Sequence, residues 1–203
     1  MKTAKKILMT QLRDKTTSRT TFRNTTQQLT QVLAHEAMEH LQTKTKNIET
    51  PLAQTTGQIY TDDIVLVPIL RSGIAMLHTF LQYFQNAAVG IVGLKRDEKT
   101  AQAHWYYENL PPITNNHQIL ILDPMLATGG TAIETLKKLK GRGAQEEKIM
   151  LVTMVCAPEG LDAVKKTFPK TKIITATIDE KLNADKFIVP GLGDFGDRYF
   201  GTE

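Results

Sequence analysis

The chain has 203 residues, of which 41% are hydrophobic and 23% are charged, and its net charge is +4 at pH 7. This length favours one core over two, so residues 1–203 are predicted to form a single domain. The apolar runs are too short for a membrane span, and the first residues lack the apolar stretch of a secretory signal. We therefore expect neither a membrane partner nor a secreted protein.

The cysteine content and the charge indicate where the protein is located and which kinds of ligand it binds. The single cysteine, Cys156, has no partner for an internal disulfide, which fits a reducing compartment, and we expect a cytoplasmic protein. The pI of about 9.1 suits either a nucleic-acid surface or a pocket for a highly anionic small molecule. Composition alone does not choose between these two classes.

The N-terminal third is predicted to contain a long helix and an irregular connection. Apolar residues recur mainly at helical spacing over residues 21–41, which predicts an amphipathic helix. Residues 43–57 are rich in threonine, lysine and glutamine, contain Pro51 and have little to bury. This second stretch is interpreted as irregular.

Short β-rich runs then alternate with helical patterns. The predicted strands cover residues 64–67, 89–94, 119–122, 150–155 and 173–177, and the predicted helices cover residues 74–84, 132–139 and 161–168. Continuous apolar strands separated by helices are typical of a buried parallel sheet with helices on both faces. The fold class is therefore predicted to be α/β, with functional residues just after the carboxyl ends of the strands.

One strand leads into a segment with the features of a phosphate-binding loop. The segment consists of Asp123, Pro124, Met125, Leu126, Ala127, Thr128, Gly129, Gly130 and Thr131. Its glycines allow backbone N–H groups to approach a ligand, and the following helix start carries partial positive charge. Asp123 is placed to accept hydrogen bonds from hydroxyls such as those of a ribose. The alternative is an ordinary turn in which Thr128 caps the helix.

This loop resembles the phosphoribosyl pyrophosphate (PRPP) loop of uracil phosphoribosyltransferases, where serine usually occupies the position of Thr131. The resemblance also covers residues 12–15, 67–73, 96–100, 106, 107, 110, 111, 157–160 and 190–198. It implies a parallel twisted sheet flanked by helices, of the type I phosphoribosyltransferase kind, with a projecting β arm or flap and a C-terminal base-binding hood. The implied reaction, part of pyrimidine salvage, converts uracil and PRPP to UMP and pyrophosphate.

The resemblance also implies the site residues. Arg71 and Arg96 match arginines that contact the diphosphate of PRPP, and guanidinium groups bind phosphate oxygens bidentately. Asp194 matches the acid on the PRPP and magnesium side, so Mg2+ is the expected cofactor, held mainly through PRPP. These three residues are the predicted catalytic residues. Uracil is expected to meet Ile188, Gly193, Asp194 and Phe195.

Two segments depart from the family pattern. Residues 101–105 replace a stretch containing leucine and proline that we expect before Tyr106 and Tyr107 in the flap. Phe195 stands where many bacterial relatives carry alanine, which is tolerable if the backbone contacts uracil. The resemblance also favours a homodimer or homotetramer, and GTP, which activates some relatives, is a candidate effector.

Three alternatives stay open. A phosphoribosyltransferase for another base would keep both the phosphate loop and the two arginines, because only the C-terminal loop, residues 188–198, indicates uracil. Base competition would identify such an enzyme. A pyrimidine-responsive RNA-binding regulator would fit the pI of about 9.1, but no concentrated stripe of lysine and arginine supports it, and we expect no nucleic-acid partner. Salt-sensitive RNA binding would reveal such a regulator. The third alternative is a catalytically silent relative.

Overall fold

The structure, a computed structural model, describes residues 2–96 and 103–202, without the side chains of Arg96 and Ala103. The helices are α1 (Lys2–Arg13), α2 (Arg19–Met38), α3 (Ile74–Tyr83), α4 (Gly130–Gly141), α5 (Pro158–Thr167) and α6 (Phe195–Phe200), with a 3-10 helix at Glu146–Lys148. The strands are β1 (Thr43–Glu49), β2 (Gln54–Tyr60), β3 (Asp63–Leu70), β4 (Ala88–Val89), β5 (Ile91–Arg96), β6 (Ala103–Asn109), β7 (His117–Leu122), β8 (Met125–Leu126), β9 (Ile149–Cys156), β10 (Lys172–Ile178), β11 (Lys181–Leu182) and β12 (Ile188–Val189).

A mostly parallel sheet organises these elements. Strands β10, β9, β7, β3 and β5 lie side by side in that order and run parallel, and β6 adds an antiparallel edge to β5. The order reverses between β3 and β7, since the chain first adds β5 on one side of β3 and later adds β7 on the other. In such sheets ligands bind at the carboxyl ends of the strands beside the reversal.

Side chains of the central strands alternate between two cores. On β7, Leu120 and Leu122 join the core that includes α1, α2 and α3, whereas Ile119 and Ile121 join the core that includes α4 and α5. Every residue of β9 is buried, as expected for a strand covered on both faces. The predicted α/β class, with a parallel sheet flanked by helices, is confirmed.

The predicted helices and strands are present with shifted bounds. The helix predicted at residues 21–41 is α2, and the strand predicted at residues 89–94 is divided between β4 and β5. No element was predicted before residue 21 or after residue 177, where α1, β11, β12 and α6 form. None of the described helices is long and apolar enough to span a membrane.

The prediction of an irregular connection at residues 43–57 is wrong. Strands β1 and β2 form an antiparallel hairpin whose pairs run from Thr43 with Tyr60 to Glu49 with Gln54. Pro51 lies in the connecting turn, where it interrupts neither strand. No side chain of the hairpin is fully buried, so hydrophobic patterning carried no signal for it. Its threonines favour strands, and this preference supports the hairpin where hydrophobic patterning is absent.

The predicted flap at residues 95–112 falls partly outside the described residues. Its second half is β6, which pairs with β5 at the edge of the sheet. Glu108 on β6 forms ion pairs with Lys138 on α4 and with Arg142 directly after it, and the Lys138 ammonium lies 4.9 Å from the centre of the Trp105 ring. These contacts attach the base of the flap to the helix that follows the phosphate loop.

Gly73 allows a tight turn at the end of β3. A Cβ at this position would lie 2.2 Å from the carbonyl oxygen of Leu122 on β7 and 2.6 Å from the backbone nitrogen of Ile69. We expect Gly73→Ala to lower the free energy of unfolding by about 1–3 kcal/mol, because backbone atoms must move apart.

The matched control is Gly141→Ala, where a Cβ would meet nothing within 4 Å. Because Gly141 is the last residue of α4 and alanine favours a helix over glycine, this variant should keep its stability or gain up to about 0.5 kcal/mol. Denaturant unfolding measures both changes, and equal stability of the two variants would contradict the close approach of β3 and β7.

Candidate active site

The loop at residues 123–131 leads into α4 and includes its first two residues. Gly129 is the N-cap of this helix with φ 84°, a left-handed conformation that suits glycine. The interpretation of Thr128 as the N-cap is therefore wrong, although its Oγ1 lies 3.5 Å from the backbone nitrogen of Gly130. The first backbone N–H groups of a helix lack intrahelical partners. Here they lie beside a cavity of about 60 Å³ that is lined by residues 123 and 125–132, an arrangement suited to a phosphate.

Strand β9 and helix α5 pack against this loop and hold its backbone in place. The backbone N–H groups of Met154 and Ala157 donate to the carbonyl oxygens of Pro124 and Leu126, both at 2.9 Å. A Cβ at Gly160 would lie 2.3 Å from the carbonyl oxygen of Ala127, so only glycine allows α5 to pack this closely. The helix predicted from the sequence begins at residue 161 and leaves Gly160 outside, so the sequence pattern did not indicate this contact.

Asp123 lies at the carboxyl end of β7 and is partly buried. Burial raises the pKa of its carboxyl from the ordinary value of 3.8 to about 7, and the backbone N–H of Met125, 3.4 Å from Oδ1, offsets this only in part. A carboxylate in this position gains from hydroxyl donors, which a bound ribose would supply.

Arg71 lies directly after β3, on the other side of the reversal in strand order. Its Nη2 lies 3.4 Å from Asp197 Oδ1, and its Nη1 lies 3.4 Å from Thr202 Oγ1. These contacts are long, and 57% of the side chain is exposed, so the guanidinium is available to an anion. Arg96 ends β5 at the same edge of the sheet, but its side chain lies outside the described part of the structure.

The C-terminal loop meets the loop that follows β3. Asp194 is the N-cap of α6, and its Oδ1 accepts a hydrogen bond from the backbone N–H of Asp197 at 3.0 Å. A Cβ at Gly196 would lie 3.2 Å from Asp194 Oδ1, 3.2 Å from Ser72 Oγ and 3.6 Å from Arg71 Nη2. The structure therefore brings Asp194 and Arg71, which are far apart in the sequence, to one place.

Two of the residues predicted to meet uracil, Ile188 and Phe195, bury their side chains, whereas Asp194 is exposed. Ile188 and Phe195 are 5% and 1% exposed. The Phe195 ring packs against Phe22 and Tyr199, with ring centroids 5.5 Å and 5.6 Å apart. Its side chain is thus part of the core, which leaves the backbone for a ligand and accounts for a bulky residue at this position. Gly193 is exposed and has φ 80°.

Sequence reasoning missed the side chains that anchor the C-terminal loop. Arg13, at the end of α1, pairs with the carboxylate of Asp179 and donates to the carbonyl oxygen of Gly191 at 2.7 Å. Arg198 donates to the carbonyl oxygen of Leu192, also at 2.7 Å. The first pair is separated by 166 positions, and no local pattern reveals such a contact.

The fold and this site define a type I phosphoribosyltransferase. A hypoxanthine-guanine phosphoribosyltransferase from Bacillus anthracis shares the fold with a TM-score of 0.52 and 11% identity, over 79% of this chain and 80% of that chain. The chain belongs to the uracil phosphoribosyltransferase family, because the family model "Uracil phosphoribosyltransferase" matches residues 2–202.

Individual relatives agree with this assignment. A uracil phosphoribosyltransferase from Thermosipho melanesiensis is 44% identical over 196 residues, which cover 96% of this chain and 93% of the relative. One from Mycoplasma genitalium is 42% identical over 195 residues, or 96% and 94% of the two chains. A solved structure from Aquifex aeolicus has a TM-score of 0.89 and 35% identity, and the match covers 98% and 95% of the two chains. The family resemblance seen in the sequence is confirmed.

The raised pKa of Asp123 predicts a pH dependence of stability. Since the folded-state pKa is about 7 and the ordinary value is 3.8, the folded state binds the proton more tightly between these values. Stability should therefore fall as pH rises through this window. We expect Asp123→Asn to remove this dependence and to raise the free energy of unfolding by about 1–4 kcal/mol at a pH of about 8.

Denaturant unfolding of both proteins across this range measures the effect. The difference between them should shrink as pH falls and should vanish below a pH of about 3, which is under the ordinary pKa of 3.8, because the carboxyl is then protonated in both states. Curves that stay parallel at all pH values would show that Asp123 does not titrate in this way.

Proposed function

We propose that this chain catalyses the reaction of its family, in which uracil and PRPP give UMP and pyrophosphate. The observation that best supports this is the arrangement of three loops at one edge of the sheet. The phosphate loop follows β7, the loop with Arg71 follows β3, and the C-terminal loop contacts the latter through Gly196. Together they offer two separate anion sites and a backbone surface for a base.

The two anion sites match the two charged ends of PRPP. The helix start at residues 123–131 binds the monophosphate through its backbone N–H groups and through the hydroxyls of Thr128 and Thr131. Arg71 and Arg96, which follow neighbouring parallel strands, bind the diphosphate. Asp123 lies at the end of β7 and accepts hydrogen bonds from the ribose hydroxyls between these ends.

Uracil specificity is assigned to backbone groups of the C-terminal loop. One edge of uracil presents an acceptor, a donor and an acceptor, and backbone N–H and C=O groups complement this pattern. The backbone of Ile188 and of residues 193–195 provides them, and the buried rings around Phe195 fix the loop. A base with a different edge would leave polar groups unpaired, which disfavours its binding.

The residues present fit a magnesium ion that arrives with PRPP. Within the described residues, no group of three or more His, Cys, Asp or Glu side chains could hold a metal ion. Mg2+ usually keeps several waters and binds one or two carboxylates together with substrate phosphates. Asp194 is exposed beside Arg71 and would contribute a carboxylate. When bound, the ion neutralises charge on the diphosphate.

Catalysis would then consist mainly of positioning and electrostatic stabilisation. The bond from the anomeric carbon to the diphosphate breaks through an oxocarbenium-like state, and negative charge grows on the leaving group. Arg71 and Arg96 stabilise this charge, and the phosphate loop fixes the sugar. The C-terminal loop orients the uracil nitrogen toward the anomeric carbon, where the new N–C bond forms as the bond to the diphosphate breaks and the nitrogen loses its proton.

The same proposal includes the organisation of the protein. Both cores pack on one sheet, which supports a single domain over residues 1–203. The cytoplasmic location rests on the lone cysteine, Cys156, which is free and buried. A homodimer or homotetramer and a GTP effector rest on the family relation. Light scattering and a GTP titration of the activity would test these two proposals.

The decisive test supplies PRPP and Mg2+ with uracil, cytosine, hypoxanthine, guanine, adenine or orotate in separate reactions. UMP formed from uracil alone is the expected result. Preference for another base would keep the phosphate sites and overturn the role given to the C-terminal loop. No product from any base, together with salt-sensitive RNA binding, would favour the regulator instead.

We expect Arg71→Ala to lower kcat/KM for PRPP by about 10–100-fold, because hydrogen bonds to charged groups contribute about 1.5–3 kcal/mol. Its stability should change little, since the side chain is 57% exposed. Arg96→Ala should act in the same direction. The control is Lys170→Ala, which removes a cation whose side chain is 67% exposed and whose ion-pair partner is Glu147. Steady-state kinetics decide, and unchanged kcat/KM in Arg71→Ala would refute its role.

A further inference from the structure

A buried carboxylate lies under the C-terminal loop. Asp179 follows β10, and its side chain is 2% exposed. Its Oδ2 accepts hydrogen bonds from the backbone N–H of Gly191 and from Arg13 Nη1, both at 2.7 Å. Its Oδ1 accepts a further bond from Arg13 Nη2. Both carboxylate oxygens therefore have partners, as a buried charge requires.

Arg13 and Asp179 together bind both backbone polar groups of Gly191. Arg13 Nη1 donates to the Gly191 carbonyl oxygen at 2.7 Å, and the Gly191 N–H donates to Asp179. Gly191 has φ 59°, and a Cβ there would lie 2.1 Å from the carbonyl oxygen of Ile188. The ion pair thus fixes a tight turn between two of the positions assigned to uracil, Ile188 and Gly193.

Burying charged groups is an expensive way to stabilise a fold, and here Asp179 is almost fully buried while the Arg13 side chain is 25% exposed. Desolvation of two charges offsets much of their attraction, and apolar replacements are often equally stable. Such a pair can instead specify one conformation, here that of the loop. Its hydrogen bonds go to the one loop proposed to contact the base, whereas the phosphate contacts proposed for Arg71, Arg96 and the phosphate loop come from the ends of β3, β5 and β7.

We propose that Arg13 and Asp179 are positioning residues for uracil. The pair holds Gly191 so that the backbone around Ile188 and at residues 193–195 is ready to meet the base before it arrives. This inference rests on the function proposed above. It assigns α1, which supplies Arg13, to uracil binding and not to phosphate binding. Loosening the ion pair should therefore weaken uracil binding and leave PRPP binding nearly unchanged.

The test measures KM for each substrate in Arg13→Met, Arg13→Lys and Asp179→Asn. In Arg13→Met and Asp179→Asn, KM for uracil should rise about tenfold or more, the size of one lost hydrogen bond, with KM for PRPP within about twofold. Arg13→Lys should lie between wild type and Arg13→Met, because lysine keeps the charge but not the bidentate geometry.

The matched control is Lys148→Met. Lys148 pairs with Asp62 at 2.7 Å, their side chains are 15% and 10% exposed, and the pair lies at the opposite ends of the strands, next to the start of β3. Its loss should lower the unfolding free energy without changing the ratio of the two KM values. If Arg13→Met does not fold, Arg13→Lys and Asp179→Asn carry the comparison.

The outcomes separate the two proposals. Equal changes in both KM values, or a fall in active enzyme concentration alone, would overturn the positioning role while uracil-dependent activity of the wild type still stands. Absence of uracil activity in the wild type would instead remove the proposed function on which this inference rests. A rise in KM for uracil confined to the Arg13 and Asp179 variants is the expected result.

Discussion

The reversal of strand order between β3 and β7 is the constraint on which the proposed site depends. Connections on the two sides of this reversal diverge, which leaves a crevice at the carboxyl ends of the strands. Gly73 keeps the ends of β3 and β7 close, because its backbone approaches the carbonyl oxygen of Leu122. Arg71 and Asp123 therefore begin their loops on either side of one crevice, at a separation fixed by the sheet.

The proposed site suits a ligand that brings both charge and hydroxyl groups. The start of α4 offers backbone N–H groups, and Asp123 beside it is a partly buried carboxylate whose pKa burial raises to about 7. Such a carboxylate lowers the stability of the empty protein and gains a partner when a ribose binds. The C-terminal loop is held differently, since Arg13 and Asp179 already satisfy its backbone at Gly191. Asp123 thus gains hydrogen bonds only when a ligand binds, whereas the hydrogen bonds at Gly191 in the C-terminal loop are already formed in the free protein.

The sequence predicted the parts of the structure that depend on local patterns. Strands β7 and β9 are continuous apolar runs, and the loop from Asp123 to Thr131 contains two adjacent glycines before a helix. The strands and the loop were therefore predictable from local sequence. The hairpin of β1 and β2 buries no side chain fully, so its sequence lacks the hydrophobic pattern that predicts a strand.

Contacts between distant segments were beyond the reach of local patterns. The pairing of Arg13 with Asp179 depends on how α1 packs, and the core position of the Phe195 ring depends on Phe22 in α2. Arg71 and Asp194 were named through the family resemblance, and their roles stay predictions. The same holds for Arg96, whose side chain lies outside the described residues.

The most direct measurement of the central claim is calorimetric binding of UMP, CMP, ribose 5-phosphate and uracil to the wild-type protein. A single ligand that contacts both the phosphate loop and the C-terminal loop should bind more tightly than either of its parts. We predict that UMP binds more tightly than ribose 5-phosphate and uracil, and that CMP binds more weakly than UMP. Equal affinity for UMP, CMP and ribose 5-phosphate would contradict the claim, because it would mean that the C-terminal loop does not recognise the base.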